Sequence, residues 1–139
     1  MKKLFAVLAF LFLFLGCSRT MMSFDNNQIV ESIDLSEITY SIKKAAVDKG
    51  WRTKVVEPGH IMARIAKGND EHILEVDIHY TTTSYSIKYR DSKNMKHEGY
   101  SIHRGYNTWV SNLKTHIDKQ LSITDLSVYE RSIGLGESK

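Results

Sequence analysis

Apolar and polar positions change their spacing several times along this chain. Leu4 to Leu15 is an unbroken apolar run of twelve residues. Residues 18–33 then mix polar and apolar side chains without a clean period, which predicts a tether onto whose neighbour Ile29, Val30 and Ile33 can dock. From residue 35 the spacing turns helical, because Leu35, Ile38, Ile42, Ala45 and Ala46 share one face. Asp34 and Glu37 stand three apart as in a capping box, and Gly50 suits a left-handed position after the last turn. A helix is therefore predicted over about 35–49.

Beyond Gly50 the period drops to two. Trp51, Thr53 and Val55 alternate with polar residues, as do Ile61, Ala63 and Ile65, then Leu74, Val76, Ile78 and Tyr80, then Tyr85, Ile87 and Tyr89. Pro58-Gly59, Gly68-Asn69 and Thr81-Thr82-Thr83 separate the runs, so four strands of an antiparallel meander with one buried face are predicted. A two-residue turn at Gly68-Asn69 sets Ile65 against His72, Ala63 against Leu74 and Ile61 against Val76. A turn centred on Thr82-Thr83 sets Tyr80 against Tyr85 and Ile78 against Ile87. That second register also opposes Asp77 to Lys88 and Glu75 to Arg90, pairing charges the turn assignment did not assume. At Pro58-Gly59 a two-residue loop would mix the faces, so a three-residue loop or a bulge is predicted, with Gly59 at positive φ.

Ile102, Tyr106, Trp109, Val110, Leu113, Ile117 and Leu121 form a second helical stripe, predicting a helix from near Ser101 to about 121. Residues 122–139 read as a loosely docked or disordered extension. The expected fold is α+β: a two-layer α-β-β-β-β-α domain over 34–121, with a four-stranded antiparallel meander and two helices packed on one face. The aromatics sit in phase with aliphatic neighbours, which favours packing over ligand stacking.

The first segment has a separate meaning. Lys2 and Lys3 precede an apolar run that would span about 18 Å as a helix at ~1.5 Å per residue, short of the roughly 30 Å hydrocarbon core of a bilayer. That is the layout of a removable secretory signal over 1–16. Phe14-Leu15-Gly16-Cys17 resembles the bacterial lipobox, departing from it at Phe14, where the family prefers Leu. Lipid attachment at Cys17 is implied, followed by a lipidated tether over 17–33, and Ser18 after the cysteine implies the outer membrane. Cys17 is the one cysteine of the chain, so no intramolecular disulfide can form.

Composition adds exclusions. The +3 formal charge of the 139 residues loses Lys2 and Lys3 with the signal, leaving seventeen Lys and Arg against sixteen Asp and Glu. A nucleic-acid binder needs a stronger basic bias; none is expected as a partner. No phosphate loop, dinucleotide glycine pattern, Gly-x-Ser-x-Gly elbow or His-Glu-x-x-His helix occurs.

Four segments are similar to a group of small bacterial cell-envelope lipoproteins of unassigned function: Lys49-Gly50-Trp51, Pro58-Gly59-His60-Ile61-Met62-Ala63, Tyr85-Ser86-Ile87-Lys88-Tyr89-Arg90-Asp91-Ser92-Lys93-Asn94-Met95 and Ile102-His103-Arg104-Gly105-Tyr106-Asn107-Thr108-Trp109-Val110. The resemblance implies an envelope location and carries no mechanism.

Two clusters remain as candidate chemistry. Glu75, Asp77 and His79 share one strand face, but residues two apart on a strand lie about 6.7 Å apart, and Lys88 and Arg90 are expected opposite the acids. An ion-pair lattice is expected there, with no metal and no cofactor. The second cluster is a polar corner of Asp91, Ser92, Asn94, His103 and Asn107, able in principle to support acid–base work or recognition of a polar ligand. Its competing reading is structural, through turns, caps and loop bracing. No catalytic residue is assigned. The expected function is a non-enzymatic envelope lipoprotein that faces the periplasm, is held to the membrane through Cys17 and contacts an envelope protein. The alternatives are a small-molecule or glycan binder using the corner and, behind it, a cell-wall hydrolase.

Overall fold

A computed structural model describes residues 18–29 and 33–135. The signal segment, Cys17, residues 30–32 of the expected tether and residues 136–139 lie outside the described residues. The elements are β1 (Ser18–Thr20), β2 (Phe24–Gln28), α1 (Leu35–Asp48), β3 (Arg52–Glu57), β4 (His60–Lys67), β5 (His72–Tyr80), β6 (Ser84–Lys93), β7 (Ser101–His103) and α2 (Gly105–Ser132). Five strands form an antiparallel sheet in the order β2-β6-β5-β4-β3, and β1 pairs with β7 as a separate two-stranded sheet.

The α+β class and the two helices agree with the periodicity. α1 starts where Asp34, in extended conformation, accepts the Glu37 N–H at 2.9 Å. The Glu37 carboxylate does not close the capping box; it pairs with Arg131 near the end of α2. Alternate residues of β4, β5 and β6 (Ile61, Ala63, Ile65, Leu74, Val76, Ile78, Tyr85 and Ile87) are buried in one core with Ile38, Ile42, Ala45 and Ala46 of α1 and Tyr106, Val110, Leu113 and Ile117 of α2. Polar bonds fix the layers where apolar contact alone would let them slide. Thr39 Oγ1 and Tyr80 Oη lie 2.7 Å apart, joining α1 to β5. Buried Ser41 and Thr124 meet at 2.8 Å, joining α1 to α2.

Several expectations are corrected. The sheet has five strands, not four, because Phe24–Gln28 pairs with the free side of β6. Residues 18–29 are therefore part of the folded body, with Ile29 buried and Ile33 buried beyond the undescribed stretch. Their period was hidden by a register shift between Phe24 and Asn27 and by Asn26 at φ 51°. The Gly68-Asn69 connection takes four residues, since Gly68, Asn69 and Asp70 all have positive φ. It sets Lys67 against His72 and Ala63 against Val76. The slip of two residues relative to expectation preserves every face.

The third correction concerns residues 101–104. Ser101–His103 forms a strand with β1, and α2 begins only at Gly105. The fourth is the expected extension from residue 122. α2 continues through it to Ser132, held by Thr124, Ser127 bonded to the Thr124 carbonyl at 2.7 Å, and the Arg131–Glu37 pair.

The Thr81–Thr83 register holds for Tyr80 and Tyr85, Ile78 and Ile87, and Asp77 and Lys88. It then breaks at a bulge that pairs Glu75 with Asp91 and leaves Arg90 as the extra residue. The expected bulge near Pro58-Gly59 is present, with the register shifting between Val55 and Glu57 and Gly59 at φ 84°. A Cβ on Gly59 would sit 2.8 Å from the Tyr80 carbonyl oxygen. Gly59→Ala is therefore expected to cost about 1–3 kcal/mol, read as a lower urea midpoint with an unchanged m-value.

Two core phenols make stability fall in alkali. Burial, then the Asp118 carboxylate to which it donates, push the Tyr85 hydroxyl well up; burial and neighbouring Tyr89 push Tyr106 up to about 12. In the unfolded chain both ionise near pH ~10. Stability is thus whole below about pH 10 and declines as pH rises toward the folded values. Urea midpoints at pH 8 and pH 11 should drop less in Tyr106→Phe than in the parent chain.

Candidate functional site

Both helices cover one face of the five-stranded sheet, so the other face presents the alternate residues. On β4 these are His60, Met62 and Arg64; on β5, Glu75, Asp77 and His79; on β6, Ser86 and Lys88. His79 and Lys88 are exposed and the rest half-buried. Oppositely charged groups interleave there. Arg64 lies 3.8 Å from Glu75, Arg90 reaches Glu75 at 3.9 Å and Asp77 at 3.0 Å, and Lys88 turns to Asp25 of β2 at 3.4 Å. The bulge releases Arg90 from the ladder and allows it to bridge two carboxylates.

At the turn end of this face stand His60, Asp77 and His79. Tyr80 N–H donates to the Gly59 carbonyl at 2.8 Å, which makes 59 and 80 a hydrogen-bonded pair. The next pair along an antiparallel ladder is then non-hydrogen-bonded, and its side chains approach most closely. That pair is His60 and His79. Their rings stack with centroids 4.2 Å apart. His60 Nε2 lies 2.7 Å from Asp77 Oδ1, the oxygen that also takes the Arg90 bond. Burial alone pushes the Asp77 carboxyl up, but the bonds from His60 and Arg90 outweigh it and hold it below the usual carboxylate range. One donor atom from each of His60, Asp77 and His79 lies within 4.8 Å of the other two. A shallow hollow of about 530 Å³ adjoins His79, with Asp25, Tyr80 and Ser86 on its walls.

Sequence reasoning had considered Glu75, Asp77 and His79 along one strand and missed His60 across from them. The signal was available: His60 has outer-face parity, and both the expected register and the observed one place it within one pair of Asp77 and His79.

The polar corner is dispersed. Asp91 accepts from the Ser92 N–H at 2.8 Å, and Ser92 Oγ lies 2.9 Å from Tyr89 Oη. Asn94, at φ 56°, donates to the Glu71 carbonyl at 2.7 Å and so ties the end of β6 to the β4–β5 turn. His103 Nδ1 accepts the Gly105 N–H at 3.1 Å where α2 begins. Its ring is tilted toward His72, centroids 6.3 Å apart, and His72 Nδ1 is buried without a hydrogen-bond partner among the described residues. Asn107 holds the N-terminal segment, accepting from Met22 N–H at 2.8 Å and donating to the Thr20 carbonyl at 3.0 Å. Of the five, His103 and Asn107 share a shallow hollow of about 500 Å³ with Arg19, Arg104 and Trp109. Asp91, Ser92 and Asn94 do not line it.

Asn107→Ala removes both bonds that latch residues 20–22 to α2. Each hydrogen bond is worth about 1 kcal/mol, so faster amide exchange over 19–24 with unchanged protection in β4 and β5 is expected; equal acceleration throughout would show that no local latch exists. No family model, curated protein or solved structure matches this chain.

Proposed function

We propose that the chain is a cell-envelope lipoprotein, freed of residues 1–16 and anchored by lipid on Cys17, whose body serves as a non-enzymatic interaction module. The observation that carries this reading is the order of segments: two lysines, an apolar run too short to span a bilayer, Gly16-Cys17, and then a folded body beginning at Ser18. No described helix is long and apolar enough to cross a membrane, so attachment in this reading rests on the lipid. The resemblance to envelope lipoproteins and Ser18 after the cysteine favour the outer membrane, facing the periplasm.

The geometry changes what the anchor does. Ser18 pairs with His103, and Asn107 is bonded to Thr20 and Met22, which supports a short attachment over a long tether. The body would ride at the bilayer surface, and the charged open sheet face is the surface left for a partner protein. Support for a non-enzymatic role comes from the corner. Ser92 bonds Tyr89 and not His103, and Asn94 and Asn107 are both engaged with backbone.

Membrane fractionation with mass spectrometry of the N-terminus tests the anchor. The parent chain is expected in the membrane fraction, beginning at an acylated Cys17; Cys17→Ser should be unprocessed or released. Identical fractionation and processing of the two would overturn the reading.

A further inference from the structure

We propose that His60, Asp77 and His79, brought together by the β4–β5 register on the open sheet face, bind one divalent transition-metal ion. The proposal is independent of the lipid on Cys17. Two imidazoles and one carboxylate form a donor set for Zn²⁺, Co²⁺, Ni²⁺ or Cu²⁺; Ca²⁺ and Mg²⁺ favour oxygen throughout.

The backbone does most of the positioning. His60 and His79 are directly paired at a position where facing side chains converge, and Asp77 is one alternation away on the same strand face. The 59/80 hydrogen bond, which requires glycine at 59, locks that register beside the site. Ligand atoms around a tetrahedral ion with bonds of ~2.0–2.1 Å lie roughly 3.4 Å apart. The present donors span up to 4.8 Å, with His60 and Asp77 at 2.7 Å. Side-chain rotation alone closes that difference, and exposed His79 is free to turn out of its stack. Three protein ligands leave a fourth position open to water or to a donor from another molecule, and the hollow beside His79 gives it access.

Arg90 is the competitor. Its guanidinium holds Asp77 Oδ1 at 3.0 Å, but it also lies 3.9 Å from Glu75, and its side chain is 46% exposed on a bulge. It can transfer to Glu75 and remain paired while Asp77 turns to the ion. The ion also displaces any proton on the coordinating nitrogens, so binding weakens in acid.

The test uses the full chain without a histidine tag, extracted in detergent and titrated with Co²⁺ and then Zn²⁺. One equivalent of Co²⁺ should develop visible absorption, and Zn²⁺ should abolish it. His60→Ala and His79→Gln should each lose at least tenfold in affinity at unchanged thermal stability of the metal-free chain, whereas His116→Ala on α2 should bind as the parent does. Arg90→Ala should bind more tightly, because it removes the competing cation. No stoichiometric binding, or binding equally strong in His60→Ala and His79→Gln, would overturn the site. So would an Arg90→Ala variant that binds no better than the parent.

Discussion

One-sided burial governs this fold. Both helices carry their apolar stripe to the same face of the sheet, so the central strands β4, β5 and β6 alternate, and about half of their residues must be stable facing water. A parallel sheet wrapped on both sides would be apolar throughout. Here the constraint places His60, Arg64, Glu75, Asp77, His79 and Lys88 together on one surface. Charge accumulates there because the core excludes it from everywhere else on these strands. The sheet then pairs what it has gathered: Arg90 between Glu75 and Asp77, Lys88 with Asp25, Arg64 with Glu75. Ion pairs that remain partly open to solvent add little stability each, so their main effect is to keep the face ordered.

The two edges of the sheet are treated differently. β3 ends one side, exposed along most of its length and carrying Arg52, Lys54 and Glu57, charges that discourage pairing with another chain. The other side, β6, is covered by β2. That strand is itself irregular, with Asn26 at positive φ and a register shift, so it offers a poor template for a further strand. Covering β6 in this way commits the N-terminal residues to the body. Met22 and Thr20 are fastened by Asn107, and Ile29 enters the core. A segment built to close an edge cannot also be a flexible leash.

Periodicity revealed what repeats. The alternation from Ile61 to Ile87, the stripes of both helices and the bulge at Gly59 were legible because each is a local consequence of backbone period or of one residue's conformational range. The alternation expected at Thr53 and Val55 was not met, since β3 is an edge strand and Val55 is exposed. The pairing of β2 was not legible. Met21, Phe24 and Ile29 of the N-terminal segment pack against the core at uneven spacing, and the register shift after Phe24 destroys the period. The slip at Gly68 was hidden for a related reason: Asn69 and Asp70 both tolerate positive φ, so the turn lengthened without changing which face any strand residue shows. Helix α2 outran its apolar stripe because its last turns are held by Thr124, Ser127 and Arg131, polar residues that hydropathy counts as solvent-facing.

The candidate site follows the same division. Asp91, Ser92, Asn94, His103 and Asn107 are the residue types that chemistry uses, and they cluster in the chain near two strand ends and a helix start. Those are also the places where backbone groups lack partners, and side chains near them are recruited to supply the bonds. Asn94 and Asn107 bond to backbone groups, and His103 caps a backbone N–H. Each of the three is engaged in bracing the fold. His60, Asp77 and His79 are placed differently. The ladder satisfies the backbone beneath them, so their donor atoms are left to meet one another and Arg90. On a regular sheet, reactive residue types are freer to act because the regular structure makes no demand on them, and the strand register decides which of them meet.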